Sequence, residues 1–225
     1  ISSSLVPVYF SKKVIARIFE KGSFSILSLD FDTGKILWQI KEKELFICTN
    51  PVFNETSNVI IAVAKKKGMI PQYYMLFIEP ENGEIINRMF LFSGQDTIPI
   101  SSFAYSVSLD FFMPTPVMDG SIAYILTNYG LAFCVDTLSA SFVWARKYPR
   151  TPFAVSHKLS SMLGERNISL PVPSEENLFI APMDSASIFL INKKTGALVK
   201  ESAKYRWKQI ASAGKNAVAI LSTDD

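Results

Sequence analysis

A chain of 225 residues is long enough to bury one substantial hydrophobic core or two small ones. Hydrophobic residues make up 48% of it and charged residues 19%, which excludes a disordered chain and favours strands that are buried on both faces. The formal net charge of +3 is too small to argue for a nucleic-acid partner. No apolar run reaches the roughly 20 residues that a membrane-spanning helix needs, so no membrane span is predicted.

One pattern recurs four times along the chain: an apolar strand, a tight turn and a second apolar strand. The copies lie at 28–38, 78–86, 135–144 and 191–199, about 50 to 57 residues apart, a period typical of propeller blades or similar arrays. Three of the turns carry a glycine, Gly34, Gly83 and Gly196, which accepts the positive φ of a hairpin turn. The third copy has Ala140 instead, so we expect another geometry or a longer loop there.

A second marker, Pro-Val before a short strand, precedes each turn, at residues 7, 51, 116 and 171. Each unit therefore holds four short strands of about five residues, a normal strand length. The prediction is all-β: one propeller segment over residues 1–225, with four-stranded antiparallel blades at about 5–48, 50–92, 115–147 and 170–203. A half unit at 207–225 brings the total to about four and a half repeats. Such a partial propeller is a piece of a longer one, an arc completed by another chain, or a small self-closed ring.

The stretch from Leu29 to Trp38, apolar-Asp-x-x-Thr-Gly-x-apolar-apolar-Trp, resembles the repeat of PQQ-type β-propellers. That family includes quinoprotein alcohol dehydrogenases and BamB-like proteins, and the resemblance covers nearly the whole chain. It implies that Trp38 and Trp144 pack between neighbouring blades. Asn87 and Lys200 replace the tryptophan in the second and fourth units, which implies weaker or rebuilt contacts. It also implies a periplasmic or secreted location, which nothing else in the sequence supports, since no signal-peptide pattern is visible.

Residues with catalytic potential are sparse. There is no Gly-rich phosphate loop, no C-x-x-C pair and no nucleophile elbow, and His157 is the single histidine. A lone histidine does not make a metal or catalytic site. The residue set that holds PQQ and calcium in quinoprotein enzymes cannot be placed on this chain. We therefore predict no catalytic residue, no metal ligand and no cofactor.

The remaining polar and thiol groups have structural interpretations. The carboxylates at turn positions are expected to cap turns by hydrogen bonding; they are Asp30, Asp32, Asp136 and Asp184. Cys48 and Cys134 lie in apolar runs and are expected to be buried free thiols, with a disulfide as the alternative. The run at 65–68, Lys-Lys-Lys-Gly, is expected to form a solvated hairpin tip.

Two long connectors occur at the same point of the repeat, so we expect them on one face of the propeller, where loops often carry function. The first, residues 93–114, is rich in apolar residues and either caps the blade edges or contacts a protein partner. Its predicted partner-binding residues are Phe103, Tyr105, Phe111, Phe112 and Met113.

These observations predict a noncatalytic scaffold for protein–protein interaction or ligand sensing. Its expected partner is a protein, or another copy of the chain that completes the open propeller. Two alternatives stay open. One is a fragment of a PQQ-dependent dehydrogenase, which the repeat alone cannot support because fold does not imply function. The other is a carbohydrate-binding propeller that uses exposed Tyr73, Tyr74 and Tyr129.

Overall fold

A computed structural model describes residues 7–20, 22–40, 42–94, 97–99, 106–108, 113–150, 170–182, 184–185, 187–202, 207–212 and 218–222. For 97–99, 106–108, 207–212 and 218–222 the description covers the backbone only. Every regular element in these ranges is a β-strand, which confirms the predicted all-β fold. The same ranges contain no helix long and apolar enough to cross a membrane.

The chain packs as two compact units. The first comprises Ser2–Gln95 together with Thr137–Ser141, and the second comprises Ile1, Asp96–Asp136 and Phe142–Asp225. The first two sequence repeats fall in the first unit and the last two in the second, except that residues 137–141 of the third repeat pack with the first unit. The single segment over residues 1–225, with its blade limits, stays a prediction.

The first unit contains two antiparallel blades. Blade 1 has the strand order β1-β2-β3-β4, with β1 at Val8–Phe10, β2 at Lys13–Glu20, β3 at Ser23–Asp30 and β4 at Ile36–Gln39. Blade 2 contains β5 at Leu45–Ile47, β6 at Val52–Asn54, β7 at Val59–Lys66, β8 at Gln72–Ile78 and β9 at Ile85–Ser93. Both β5 and β6 pair with β7, one after the other along its length, so the edge strand of blade 2 is split.

The second unit contains two further blades and two hairpins. Blade 3 consists of β12 at Val117–Asp119, β13 at Ile122–Leu126, β14 at Leu131–Asp136 and β15 at Ser141–Lys147, whose first residue belongs to the first unit. Blade 4 consists of β16 at Val172–Pro173, β17 at Asn177–Ile180, β18 at Phe189–Asn192 and β19 at Leu198–Glu201. The hairpins pair β10 at Thr97–Pro99 with β11 at Ser106–Ser108, and β20 at Trp207–Ser212 with β21 at Val218–Ser222. The predicted half repeat at the end of the sequence is thus a two-stranded sheet.

Each unit buries its middle strands on both faces. The run from Val59 to Ala64 in β7 is wholly buried, because apolar residues occupy both alternating faces of the strand. The outermost strands differ: β4, β15 and β19 are largely exposed. Trp38 and Trp144 are the exceptions in β4 and β15, each only 8% exposed. A buried tryptophan on an exposed strand indicates that a neighbouring element covers it.

The turn of the third repeat is not a longer loop. Ala140 adopts φ 49°, in the same left-handed region as Gly34 at 67°, Gly83 at 76° and Gly196 at 70°. The positive φ is therefore kept, but four residues separate β14 from β15, whereas five separate β3 from β4. A single alanine can occupy this region at a cost of about 1–2 kcal/mol, which a folded blade tolerates.

Candidate functional site

The junction between blade 1 and blade 2 is built around Trp38. Its indole Nε1 donates a hydrogen bond to the carbonyl of Pro80, 3.1 Å away, in the turn between β8 and β9. The ring lies against Gly83: a Cβ placed on Gly83 would be 2.5 Å from Trp38 Cε3. Gly83 is therefore required twice, for its positive φ and for the space that the indole fills.

The junction between blades 3 and 4 repeats this arrangement. Trp144 Nε1 donates to the carbonyl of Lys193 at 2.8 Å, and a Cβ on Gly196 would lie 2.7 Å from Trp144 Cδ2. Arg146 Nη1 also donates to the carbonyl of Gly196 at 2.7 Å. The two tryptophans singled out by the sequence thus dock on the turn of the following blade within their own unit.

An ion pair accompanies each docked tryptophan. Lys13, at the start of β2, contacts Glu81 in the turn of blade 2. In the second unit the signs are reversed, since Lys193 in the turn of blade 4 lies 2.6 Å from Asp119 of β12. The two lysine side chains are only 13% and 18% exposed, so both pairs are partly shielded from water. A blade junction of this protein therefore combines an indole, a glycine and a pair of opposite charges.

The two residues of the docking pair are lost together in the remaining repeat. Asn87 of β9 replaces the tryptophan, and Ala140 replaces the glycine of the next turn in sequence. The Asn87 side chain is used locally, accepting the amide of Arg88 at 2.7 Å. A methyl group at the position of Ala140 would clash with an indole docked as at Gly83. In the turns of blades 2 and 4 the glycine therefore accompanies a docked tryptophan, and in the turn of blade 3 both are replaced.

The turn of blade 1 also has a positive-φ glycine, but no described side chain packs on it. In the part of the chain that the structure describes, a Cβ on Gly34 would meet no atom within 4 Å. Phe31, Ile36 and Leu37 around it are 58%, 61% and 46% exposed. Tyr9, 62% exposed, packs edge-on against Phe31 with the ring centroids 5.2 Å apart. The first-blade face is defined as Tyr9 and Phe31, whose rings are in contact, together with the turn at Gly34, and it is the candidate binding surface.

The turn that presents this face is held rigidly. Asp30 Oδ1 accepts hydrogen bonds from the Thr33 amide at 2.7 Å and from the Thr33 hydroxyl at 2.6 Å. These bonds to the charged form lower the pKa of Asp30. The predicted capping role of Asp30 is therefore confirmed, and Asn192 does the same in blade 4, accepting from Lys194 and Thr195.

The second unit contains a buried polar cluster that the sequence did not reveal. Asp184, 1% exposed, accepts the amide of Gly130 at 2.8 Å and Arg150 Nε at 2.9 Å, and the Tyr148 hydroxyl donates to it at 2.7 Å. Burial raises the pKa of Asp184, and these hydrogen bonds and the charge of Arg150 oppose that rise. Asp184 was expected to cap its own turn. It instead ties blade 4 to the β13–β14 turn and to the segment after β15.

Arg17 of β2 is a buried cation in the first unit. Its side chain is enclosed, the residue being 4% exposed, and Nη1 donates to the carbonyl of Cys48 at 2.6 Å. The guanidinium lies 4.4 Å from the ring centroid of Phe24, and desolvation lowers its pKa. Nε is buried and has no hydrogen-bond partner within the described residues. The signal of this site in the sequence is an arginine inside an apolar strand.

The structure describes only some of the other residues that the sequence predicts for a site. Phe103, Tyr105, Phe111 and Phe112 lie outside the described residues, as does His157. Met113 is described and is 4% exposed, so its side chain is covered. The expectation of an exposed Tyr73 is wrong: the ring is 1% exposed because it stacks on Phe92 at 4.3 Å. Tyr74 and Tyr129 are partly buried.

The thiols and the lysine run follow their predictions in part. Cys48 and Cys134 are buried free cysteines, which excludes the disulfide alternative, and burial raises the pKa of Cys134 to about 12. Lys65 and Lys66 belong to β7 rather than to the tip; Lys65 lies over the ring of Phe46 and Lys66 pairs with Glu44 at 3.5 Å. The described ranges hold no group of three or more His, Cys, Asp or Glu side chains suited to a metal ion.

Comparison with known proteins identifies the fold and leaves the family open. No family model and no curated protein sequence matches the chain. Among solved structures it is similar to BamB from Moraxella catarrhalis, with a TM-score of 0.55 and 13% sequence identity over 99% of this chain. It is also similar to the WD40 β-propeller domain of Doa1, with a TM-score of 0.54 and 11% identity over 96% of this chain. The chain spans 56% and 59% of the lengths of those two structures. Its four-stranded blades are therefore those of a β-propeller, of which this chain provides a part.

Proposed function

We propose that this chain is a noncatalytic scaffold of PQQ-type β-propeller blades that binds a protein partner. The observation that carries the proposal is the exposed first-blade face. The equivalent turns of blades 2 and 4 are covered by Trp38 and Trp144, whereas a Cβ placed on Gly34 meets no described atom within 4 Å, and Tyr9 and Phe31 beside it are 62% and 58% exposed. Contiguous exposed apolar side chains on a rigid turn are typical of protein-binding surfaces.

The tryptophan–glycine junctions support the PQQ-type assignment within this proposal. In the first unit Trp38 lies on Gly83, and in the second Trp144 lies on Gly196. This is the interblade packing that the repeat pattern implies. The general likeness to propeller structures supports the scaffold role through the fold, and the predicted loop residues Phe103, Tyr105, Phe111 and Phe112 remain a second proposed contact region.

The test is affinity purification of the tagged chain from its native cell extract, followed by reconstitution with each purified candidate protein. We expect at least one protein to bind directly in the reconstituted system. Alanine replacement of Phe103, Tyr105, Phe111 and Phe112 together tests the loop region. The matched control is Met69→Ala, because Met69 is 93% exposed at the tip of another hairpin.

A thermal shift assay separates the scaffold from the enzyme alternative. PQQ with calcium should leave the melting temperature unchanged, since a ligand that binds the native state must raise it. Direct binding of no protein, combined with a rise in melting temperature on addition of PQQ and calcium, would overturn the proposed function.

A further inference from the structure

We propose that the β7–β8 hairpin of blade 2 binds the surface of a lipid bilayer that carries anionic headgroups. The binding surface is called the lysine–methionine tip and is defined as Lys65, Lys66, Lys67, Met69 and Ile70. The inference goes beyond the proposed function, because the ligand is a lipid surface and the first-blade face takes no part in it.

The end of this hairpin carries two apolar side chains where turns are normally polar. Strand β7 ends at Lys66, which pairs with Gln72 at the start of β8, so residues 67–71 connect the two strands. Within this connection Met69 is 93% exposed and Ile70 is 62% exposed. Turn residues are usually glycine, proline or small polar residues, because these satisfy the backbone of the turn. A methionine that is 93% exposed packs against almost nothing, so the stability of the hairpin does not explain it.

The backbone at both ends of the connection is held by neighbouring segments. The amide of Lys67 donates to the carbonyl of Glu44 at 3.2 Å, just before β5. The amide of Gly94, just after β9, donates to the carbonyl of Pro71 at 3.1 Å. The apolar side chains therefore project from a braced turn, which reduces the ordering cost of binding.

The charges beside the tip favour an anionic ligand. The connector before β5 contributes two acids, and each already has a cation: Glu42 contacts Arg88, and Glu44 lies 3.5 Å from Lys66. Lys67 is exposed and forms no ion pair with a described side chain. Its charge is therefore available to a ligand, next to the two exposed apolar side chains.

A second exposed apolar side chain is connected to the lysine run through three aromatic rings. Lys65 Nζ lies 5.2 Å from the ring centroid of Phe46, and Phe46 packs edge-on against Phe24 at 5.6 Å. Phe24 in turn lies 4.9 Å from Phe19, at the end of β2, which is 60% exposed. The adjacent acid, Glu20, accepts a hydrogen bond from Gln39 at 3.4 Å. Phe19 thus extends the apolar part of the surface onto blade 1.

Blade 2 has contacts with the repeat before it and the repeat after it. Trp38 of blade 1 donates to the carbonyl of Pro80 in blade 2. Asn54 of blade 2 donates to the hydroxyl of Thr137 at 3.1 Å, in the turn of the third repeat, and both contacts lie within the first unit. The β7–β8 hairpin therefore does not belong to a terminal blade onto which a further blade of a longer propeller would pack.

A lipid surface fits these features better than a protein or a nucleic acid. Attachment to a membrane surface grows with the apolar area buried among the headgroups and with attraction to anionic lipids, and the tip supplies both. Single protruding side chains such as Met69 and Ile70 need no matching pocket in a bilayer. A nucleic acid would use the lysines for its phosphates, but its bases stack on aromatic rings, which neither of these residues offers.

The test is co-sedimentation of the whole chain with vesicles of phosphatidylcholine and phosphatidylglycerol in equal amounts, compared with vesicles of phosphatidylcholine alone. We expect binding to the anionic vesicles that is about tenfold weaker or more in the double variant Met69→Ser/Ile70→Ser. Lys67→Gln should weaken binding about fivefold, whereas the matched control Lys194→Gln, at an exposed lysine of the blade 4 turn, should not. Absence of binding, equal binding to both kinds of vesicle, or full binding by the double variant would overturn the proposal.

A fluorescent label reports whether the tip itself enters the membrane. Cys48 and Cys134 are 0% and 1% exposed, so Met69→Cys provides the thiol that an environment-sensitive nitrobenzoxadiazole label reaches in the folded protein. Anionic vesicles should shift its emission to the blue, and should leave a label at Leu138→Cys, a 64% exposed residue in the β14–β15 turn, unchanged. A label at position 69 that is already shielded from water without vesicles would contradict the proposal, because the chain itself would then cover the tip.

The outcomes separate this inference from the proposed function. Met69→Ala should weaken binding to anionic vesicles and leave binding to a protein partner unchanged. Vesicle binding in the absence of any protein partner would support the lysine–methionine tip and remove the scaffold role. Binding to double-stranded DNA that persists in the double serine variant, without binding to vesicles, would overturn the lipid assignment in favour of a polyanion.

Discussion

Adding one methyl group at Gly83 should cost far more stability than adding it at Gly34. Both glycines have a positive φ, so alanine at either site pays a conformational cost of about 1–2 kcal/mol. Alanine also lowers the conformational entropy of the unfolded chain, and this effect offsets about 0.4–1 kcal/mol of the conformational cost. Gly34→Ala should therefore lower the free energy of unfolding by about 1 kcal/mol, because its Cβ meets no described atom within 4 Å.

At Gly83 the new Cβ would be 2.5 Å from Trp38 Cε3 and 2.6 Å from Cδ2, so the indole has to move. Forced rearrangement of a packed side chain costs about 1–3 kcal/mol. Loss of the hydrogen bond from Trp38 Nε1 to Pro80 adds about 1 kcal/mol. The difference between the two variants should therefore be about 2–4 kcal/mol, a large share of the roughly 5–15 kcal/mol of a typical domain.

Urea denaturation followed by circular dichroism measures this difference, and unchanged m-values would show that the unfolding transition is comparable. A double-mutant cycle with Trp38→Ala identifies the cause. In that background Gly83→Ala should cost no more than Gly34→Ala does, since the clashing ring is absent. The reasoning is refuted if the two single variants agree within about 0.5 kcal/mol, or if the extra cost persists without Trp38.

Three further predictions concern polar groups and thiols. Folding lowers the pKa of Asp30, so the stability that its carboxylate contributes is present above the usual carboxyl pKa of 3.8 and is lost as the pH falls through the lower folded value. Asp30→Asn should keep the turn, because Asn192 makes the same hydrogen bonds in blade 4. In acid titrations of stability the variant should lack this pH dependence. Tyr148→Phe removes a hydrogen bond to the buried carboxylate of Asp184 and should cost about 1–3 kcal/mol in chemical denaturation, with unchanged stability counting against the cluster. Cys134 should react with a thiol reagent only on unfolding, because it is 1% exposed and its pKa is raised to about 12; rapid labelling of the native protein would contradict its burial.

The first-blade face shows why a sequence reveals a turn more readily than the surface around it. A hairpin is predicted by Asp30, Thr33 and Gly34, because the capping carboxylate and the positive φ that a hairpin turn requires are both set by neighbouring residues. Whether an indole covers that hairpin depends on a strand from another blade. The contact between Trp38 and Pro80 spans 42 residues of sequence, so no local pattern reports it.

Two other residues, Asp184 and Tyr73, also have contacts that their local sequence does not predict. Asp184 was assigned to its own turn, yet its partner Gly130 is 54 residues away. Tyr73 was expected at the surface, yet it stacks on Phe92 across the β8–β9 pairing. An aspartate can cap its own turn or join a buried cluster, and a tyrosine can lie at the surface or in the interior. Pairing and packing decide which location they take.

The repeat period, the apolar middle strands and the turn residues were enough to predict the all-β blades and the two-stranded element at residues 207–222. These follow from short-range rules of alternation and backbone sterics, which act along a few consecutive residues. The docking of Trp38 and Trp144 and the burial of Arg17 and Asp184 emerge only when distant strands come together. Burial and hydrogen bonding depend on which groups approach in space, and in this protein those groups are brought together by the packing of one blade against the next.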